Sequence, residues 1–202
     1  GLIDEVRIQR GTRTFAADAS RPPEADRDTR ALWRFDSLKD GAIDSERRKR
    51  FVQEARAASA LNHPHIITIY DIGQAEGVDF IAMEYVHGYT LRDLLETQGR
   101  MTEGEAIRYG VQVAAALQYA HEQGVVHCDI KPENIIINET GVAKVADFGV
   151  AETLNRTLAP GQAQDLLGTI AYLAPEVIQG APQEPRSDVY ALGLTVFEMI
   201  AG

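Results

Sequence analysis

Between His127 and Glu176 the chain gathers side chains suited to handling a metal ion and a negatively charged group. Asp129, Lys131 and Asn134 stand together in His127-Cys128-Asp129-Ile130-Lys131-Pro132-Glu133-Asn134. Asp147 follows Asn134 by thirteen residues, in Asp147-Phe148-Gly149, and Ala174-Pro175-Glu176 comes after it. Carboxylate and carboxamide oxygens are the ligands a hard divalent cation takes, and a carboxylate also accepts a proton from a hydroxyl. A lysine ammonium neutralises an anion. Each residue alone has a bland reading as well: an aspartate in a turn ahead of Pro132, an asparagine at a strand start and an aspartate beside a glycine are ordinary loop residues. The order and the intervals, taken together, argue against that reading.

Those segments resemble the signature set of the protein kinase family, and over residues 46–202 the chain looks like a bacterial-type serine/threonine kinase. Transfer of the terminal phosphoryl of ATP depends on positioning and charge neutralisation more than on covalent chemistry. The resemblance implies that Asp129 orients the substrate hydroxyl and accepts its proton, that Asn134 and Asp147 hold Mg2+, and that Lys131 contacts the transferring phosphate. An aspartate and a lysine two residues apart are typical of serine/threonine rather than tyrosine kinases. Glu54, in Gln-Glu-Ala-Arg followed by Leu-Asn-His-Pro, is similar to the glutamate of the regulatory helix, whose role is to pair with a lysine. Met83-Glu84-Tyr85-Val86 resembles the hinge, where the backbone of Glu84 and Val86 hydrogen-bonds adenine, with Ile136 as the apolar floor beneath the ring. An ordinary buried strand end would read the same way there. Gly168-Thr169 through Glu176 resembles the segment that seats a substrate peptide. Asp188 takes the place of a residue that braces the catalytic loop, its alternative being a carboxylate at a helix N-terminus.

Two family elements have no counterpart in the sequence. No Gly-x-Gly-x-x-Gly occurs before Glu54, and no Val-Ala-Ile-Lys-like strand carries a lysine. Lys39, fifteen residues ahead of Glu54, is the candidate to stand in for that lysine. Cys128 stands where many kinases place an arginine. A pseudokinase-like binding module and an inactive fusion fragment therefore stay open beside the kinase.

The elements that must position these residues can be read from period and caps. A helix from about Asp44 puts Phe51, Ala55, Ala58 and Leu61 on one face, and Pro64 closes it. Strands are expected over 66–70 and 79–86, with a turn at Gly73 and Gly77 between them. Thr90 caps a short helix through Leu95, and Thr102 with Glu105 opens a longer one that Gly124 ends. Ile107, Val111, Ala114 and Leu117 give that helix an apolar stripe. Short strands at 134–137 and 143–146 flank Gly141, and Ser187 begins a last helix of mainly apolar residues. The fold class is α+β and protein-kinase-like: a partial small lobe and a truncated, mainly helical large lobe, preceded by a strand-like segment. Leu192, Leu194, Val196, Phe197 and Ile200 are expected to be partly exposed on the last helix, which favours self-association through the truncated lobe.

Residues 1–43 read as a separate leading segment or linker, with a second short strand over 32–35. Gly-Leu-Ile-Asp-Glu-Val-Arg-Ile and Ala-Leu-Trp-Arg-Phe-Asp resemble strands of a laminin-G-like jelly roll, but so few strands cannot close a sandwich. The kinase-like unit is expected over 44–202.

The 202 residues carry a formal charge of -10, with 45% hydrophobic side chains. That is a globular composition, and an acidic surface repels a phosphate backbone, which argues against nucleic acid as a partner. The basic run Arg47-Arg48-Lys49-Arg50 reads as a solvated helix face. A single cysteine excludes an internal disulfide and fits a reducing compartment. No stretch is long and apolar enough to span a membrane. The expectation is a cytoplasmic domain acting on a protein serine or threonine, with a longer parent free to carry an anchor.

Overall fold

The computed structural model describes residues 32–34, 56–75, 78–148 and 171–202. Within them, two three-stranded antiparallel sheets meet a helical body.

The first sheet is ordered β1-β3-β2, from β1 (Leu32–Arg34), β2 (Ile69–Ala75) and β3 (Val78–Met83). The two expected strands pair as a hairpin, but Gly73 is a strand residue opposite Phe80 and not part of the turn, Gly77 lies outside the described residues, and β2 starts three residues later than the sequence suggests. The reason lies in the backbone of 65–67, which hydrogen-bonds elsewhere: Ile67 N donates to Val145 O at 2.9 Å, and Val145 N donates to His65 O at 2.9 Å. The strap touches the hairpin only at Thr68, whose carbonyl accepts from Glu84 N, and otherwise pairs with β6. β1 arises in the leading segment and adds to β3 in the register Leu32↔Ala82 and Arg34↔Phe80. Of the helix expected from Asp44, residues 56–59 are described as helical, and Ala58 and Leu61 are buried as the periodicity requires.

The second sheet is ordered β4-β5-β6, from β4 (Gly88–Thr90), β5 (Ile135–Asn138) and β6 (Ala143–Val145). Gly88 is required by close approach: a Cβ there would lie 2.1 Å from the Ile137 carbonyl oxygen. The β5–β6 connection turns at Gly141, whose φ is 77°.

α1 (Leu91–Gln98) and α2 (Glu103–Glu122) both begin at capping boxes. Thr90 Oγ1 accepts from Asp93 N at 3.0 Å while Asp93 Oδ2 accepts from Thr90 N, and Thr102 and Glu105 repeat the exchange. α1 outlasts its expected end by three residues because nothing stops it before Gly99, whose φ of 76° breaks the helix. A 3-10 turn (Pro132–Asn134) precedes β5, and short α3 (Pro175–Ile178) precedes α4 (Pro185–Ala201).

The stripe expected on α2 is corrected. Ile107 and Val111 are 61% and 63% exposed, whereas Ala106, Tyr109, Val113, Ala116, Leu117 and Ala120 are buried. Small residues line the buried face because α4 packs close against it: a Cβ on Gly110 would sit 3.1 Å from Val196 Cγ2. Close contact selects alanine and glycine, which periodicity counted on large aliphatics misses.

One main core joins Leu61, Ile66, Leu91, Val113, Leu117, Ile130, Ile135, Val145 and Met199. Each such side chain contributes roughly 1.5–3 kcal/mol on burial. On α4, Leu192, Leu194 and Val196 are half-buried while Phe197 and Ile200 are exposed, as expected.

Candidate active site

The loop from Gly124 to Lys131 is built on Asp188 of α4. Its Oδ2 accepts from His127 N at 2.8 Å and Oδ1 accepts from Cys128 N at 2.9 Å. Oδ2 also lies 2.8 Å from His121 Nε2 near the end of α2. Asp188 is 1% exposed, so a buried carboxylate is matched by three donors drawn from two elements. The bracing role expected for Asp188 is the one its geometry supports. It holds Cys128 at a φ of 72°, a left-handed conformation rarely taken by a residue with a Cβ.

His127 is fully buried and its two nitrogens have opposite tasks. Nε2 faces the Ala146 carbonyl at 2.8 Å, and Nδ1 accepts from Asp129 N at 3.2 Å. Only the neutral ring with hydrogen on Nε2 satisfies both. Burial lowers the His127 pKa, against the pull of Asp188, which agrees with that tautomer. Through His127 the loop is tied to β6 at the residue just before Asp147.

Asp129 Oδ2 receives two cationic or polar donors: Lys131 Nζ at 2.7 Å and Asn134 Nδ2 at 3.0 Å. Asn134 Nδ2 also donates to the Asp129 carbonyl at 2.8 Å. Asn134 thus directs its amide donors at Asp129, which leaves its side-chain oxygen as the atom for a cation. The Asn134 carbonyl accepts from Ala146 N at 2.9 Å, bringing the loop alongside the residue that precedes Asp147. Asp147 adopts a φ of 61° and its carboxyl pKa is pushed up to about 6, by burial first and then by the charge of Asp129, with Lys131 opposing. A carboxylate held with too little countercharge, next to a carboxamide oxygen, is a donor set that fits Mg2+, which takes one or two protein ligands and completes its shell from phosphates and water.

The hinge residues lie on a second apolar cluster. Val86 and Ile136 pack with Ile67, Ile81, Met83 and Ala146, so the structure brings the expected adenine-floor residue and the hinge to one apolar cluster. Glu84 N donates to Thr68 O at 2.8 Å. Its carbonyl, and the N–H of Val86, have no backbone partner among the described residues. Of the two main-chain groups of Glu84, only the carbonyl therefore remains for a ligand. Glu54, Lys39, Gly149, Thr153, Thr157, Gly168 and Thr169 lie outside the described residues.

Two features of the site escape sequence reasoning. Lys144 forms an ion pair with Glu84, 2.8 Å from Oε1. Arg92 joins four elements: it contacts Glu133 at 2.8 Å, Glu198 at 2.6 Å and the Tyr172 hydroxyl at 2.8 Å, and Tyr172 donates to Glu198. Burial works to lower the Arg92 pKa, but the hydrogen bonds to Glu198 and Glu133 prevail and hold it well above its ordinary value. Their separations in sequence leave no local signal for either. Glu176 has Arg186 Nε at 3.8 Å, a largely exposed pair of small energetic weight.

Small antiparallel sheets beside a helical body, with a braced loop and a metal-suited aspartate, are the fold class of the protein kinases. Residues 25–202 match the protein kinase domain family, and the chain belongs to that family. Serine/threonine-protein kinase PrkC of Bacillus subtilis (strain 168) is 41% identical over 163 residues, 81% of this chain and 25% of that protein. Serine/threonine-protein kinase PknB of Mycobacterium leprae (strain TN) is 42% identical over 157 residues, 76% of this chain and 25% of that protein. The crystal structure of the Mycobacterium tuberculosis PknI kinase domain, solved as a point mutant, superposes with a TM-score of 0.67 at 32% identity, covering 87% of this chain and 64% of that one. The chain thus spans about a quarter of the length of the curated relatives it matches. Among the described residues no helix is long and apolar enough to cross a membrane.

Proposed function

We propose that this chain transfers the terminal phosphoryl of ATP to a serine or threonine hydroxyl of a protein substrate. The observation that carries the reading is the cluster in which Asp129 is clamped by Lys131 and Asn134, with Asp147 held beside it by the Ala146–Asn134 and Ala146–His127 bonds. Asp129 Oδ2 is engaged by Lys131 and Asn134, so Oδ1 is the oxygen that orients the substrate hydroxyl and takes its proton as the new P–O bond forms and ADP leaves. Lys131 keeps a positive charge next to the transferring group. Asp147 and the Asn134 side-chain oxygen hold Mg2+, which neutralises phosphate charge when bound. Adenine would sit on Ile136 and Val86, with the Glu84 carbonyl and the Val86 N–H as its main-chain partners.

We take residues 44–202 as the kinase unit, with 1–43 as a leading segment that lends β1 to its sheet. The reaction is placed in the cytoplasm, where ATP and Mg2+ are available and Cys128 stays reduced. The missing glycine-rich loop favours one rival, a binding module that holds no nucleotide. A thermal-shift titration of the 202-residue chain with Mg-ATP decides: at about 100 times the dissociation constant the ligand adds roughly 2.7 kcal/mol of stability. No shift at millimolar nucleotide refutes the kinase reading.

A further inference from the structure

Lys144 stands in the middle of β6 and lies 2.8 Å from Glu84 Oε1 and 2.9 Å from Oε2, a two-point grip on the hinge glutamate. The two side chains are 16% and 24% exposed, so both charges are largely withdrawn from water. Such a pair is a poor way to add stability, because desolvating the charges offsets most of their attraction, and apolar residues of the same size would hold the strands as well. What a charged pair supplies is a fixed geometry. Glu84 is gripped on a second side by the strap: Glu84 N donates to Thr68 O at 2.8 Å, and Glu84 Oε2 accepts from Thr68 N at 3.3 Å. The strap in turn is paired to β6 through Ile67, Val145 and His65.

Along β6 the contacts come in register with the chemistry. Lys144 reaches the hinge, Val145 the strap, Ala146 both Asn134 and His127, and Asp147 follows. The Lys144–Glu84 pair is the polar tie at the hinge end of this series. With the Glu84 carboxylate and N–H both committed to Lys144 and Thr68, the position of the residue that carries the hinge carbonyl is held at two points.

We propose that Lys144 is a positioning residue for the nucleotide: its ion pair with Glu84 sets the hinge main chain that receives the adenine ring and keeps it in register with Asp147. The proposal rests on the reading of the hinge cleft as a nucleotide site, and it makes a distinction that a merely structural strut would not. Lys144 acts at the adenine end, so Lys144→Met should weaken adenosine and Mg-ATP by the same factor, about fivefold or about 1 kcal/mol. It should raise KM for ATP while leaving kcat and the KM for a peptide substrate unchanged. Asp147→Asn should instead weaken Mg-ATP and leave adenosine alone. Lys144→Arg keeps the charge and should restore most of the affinity, and the exchanged pair Lys144→Glu with Glu84→Lys should recover part of what either single change loses.

The test is calorimetric titration of the full chain with adenosine and with Mg-ATP, together with backbone amide exchange over residues 83–87. Equal weakening of both ligands, rescue by arginine and faster hinge exchange in Lys144→Met uphold the proposal. Adenosine affinity within about twofold of the parent overturns it, even where Lys144→Met lowers the melting temperature. Should the parent chain bind neither ligand, the kinase reading fails, and amide exchange alone judges the clamp: faster exchange at 83–87 upholds it and unchanged exchange overturns it.

Discussion

Removing the Asp188 carboxylate tests whether the catalytic loop is held from α4. In Asp188→Ala the N–H groups of His127 and Cys128 lose their acceptor, and so does the His121 ring. An unsatisfied buried donor costs roughly 1–3 kcal/mol, and the two backbone groups are buried while the His121 side chain keeps 17% of its surface in water. Against that loss, the loop is freed from the left-handed conformation at Cys128, a strain of about 1–3 kcal/mol. The balance is a destabilisation of about 1–3 kcal/mol, measured by urea unfolding with an unchanged slope. Asp188→Asn keeps one accepting oxygen and should lose about half as much. Phosphotransfer should fall in both, further in the alanine variant, because Asp129 is the residue that follows the released Cys128. A loss below about 1 kcal/mol in Asp188→Ala would refute the brace and leave only a carboxylate near a helix N-terminus, for which 0.3–1 kcal/mol is the usual scale.

Asp147→Asn should abolish phosphotransfer, since a metal ligand is lost. In the parent chain the raised Asp147 pKa of about 6 means that the folded state binds more protons than the unfolded chain between the ordinary carboxylate range and pH 6. This group's contribution to stability therefore falls as pH rises through that window, and Mg2+ affinity, which needs the ionised form, falls as pH drops below about 6. Isothermal titration with Mg-ATP at pH 5, 6 and 7.5 reads the second effect, and a flat profile contradicts it. Gly88→Ala should destabilise by about 1–3 kcal/mol or more, because its Cβ would meet the Ile137 carbonyl; an unchanged denaturation midpoint would show that β4 yields. Cys128 is buried with its sulfur 3.6 Å from the Val126 carbonyl, and a neutral thiol cannot bind a phosphate as an arginine does. Phosphatase treatment should accordingly change the rate by less than about tenfold, or 1.4 kcal/mol, and a larger fall would point to another cation as the phosphate's partner.

The parts of the site that were legible in the sequence are those where chemistry fixes residue type at a short interval. Asp129, Lys131 and Asn134 share one loop and Asp147 follows across a single hairpin, so the resemblance of these motifs to the kinase signature could pick them out. The capping boxes at Thr90 and Thr102 were legible for the same local reason. What the sequence hid are pairs made by folding: Lys144 with Glu84 across sixty residues, and Arg92 with Glu198 across 106. The buried face of α2 was misread because burial there is decided by how near α4 comes, which favours Ala106, Ala116 and Ala120 over Ile107 and Val111. The start of β2 was misplaced because Ile66 and Ile67 have the composition of a strand, but Ile66 N turns back to the His63 carbonyl and the bonds of Ile67 N and His65 O go to Val145 of β6.

β6 acts as a ruler. Asp147 lies two residues past the end of β6, and at no more than about 3.3 Å per residue the three steps from Lys144 span at most about 10 Å, so the backbone sets an upper limit on the distance from the hinge tie to the metal-suited carboxylate. Side chains around the cleft can change size, and the pocket would adjust by small shifts. Losing or gaining one residue between Lys144 and Asp147 would do something different in kind: alternation would turn every later side chain to the opposite face. Lys144 would then point away from the hinge whenever Asp147 pointed toward the loop. The number of residues between Lys144 and Asp147 is therefore as constrained as the identity of those two, and a library of insertions between them should yield no nucleotide-binding member even where the surrounding sheet still folds.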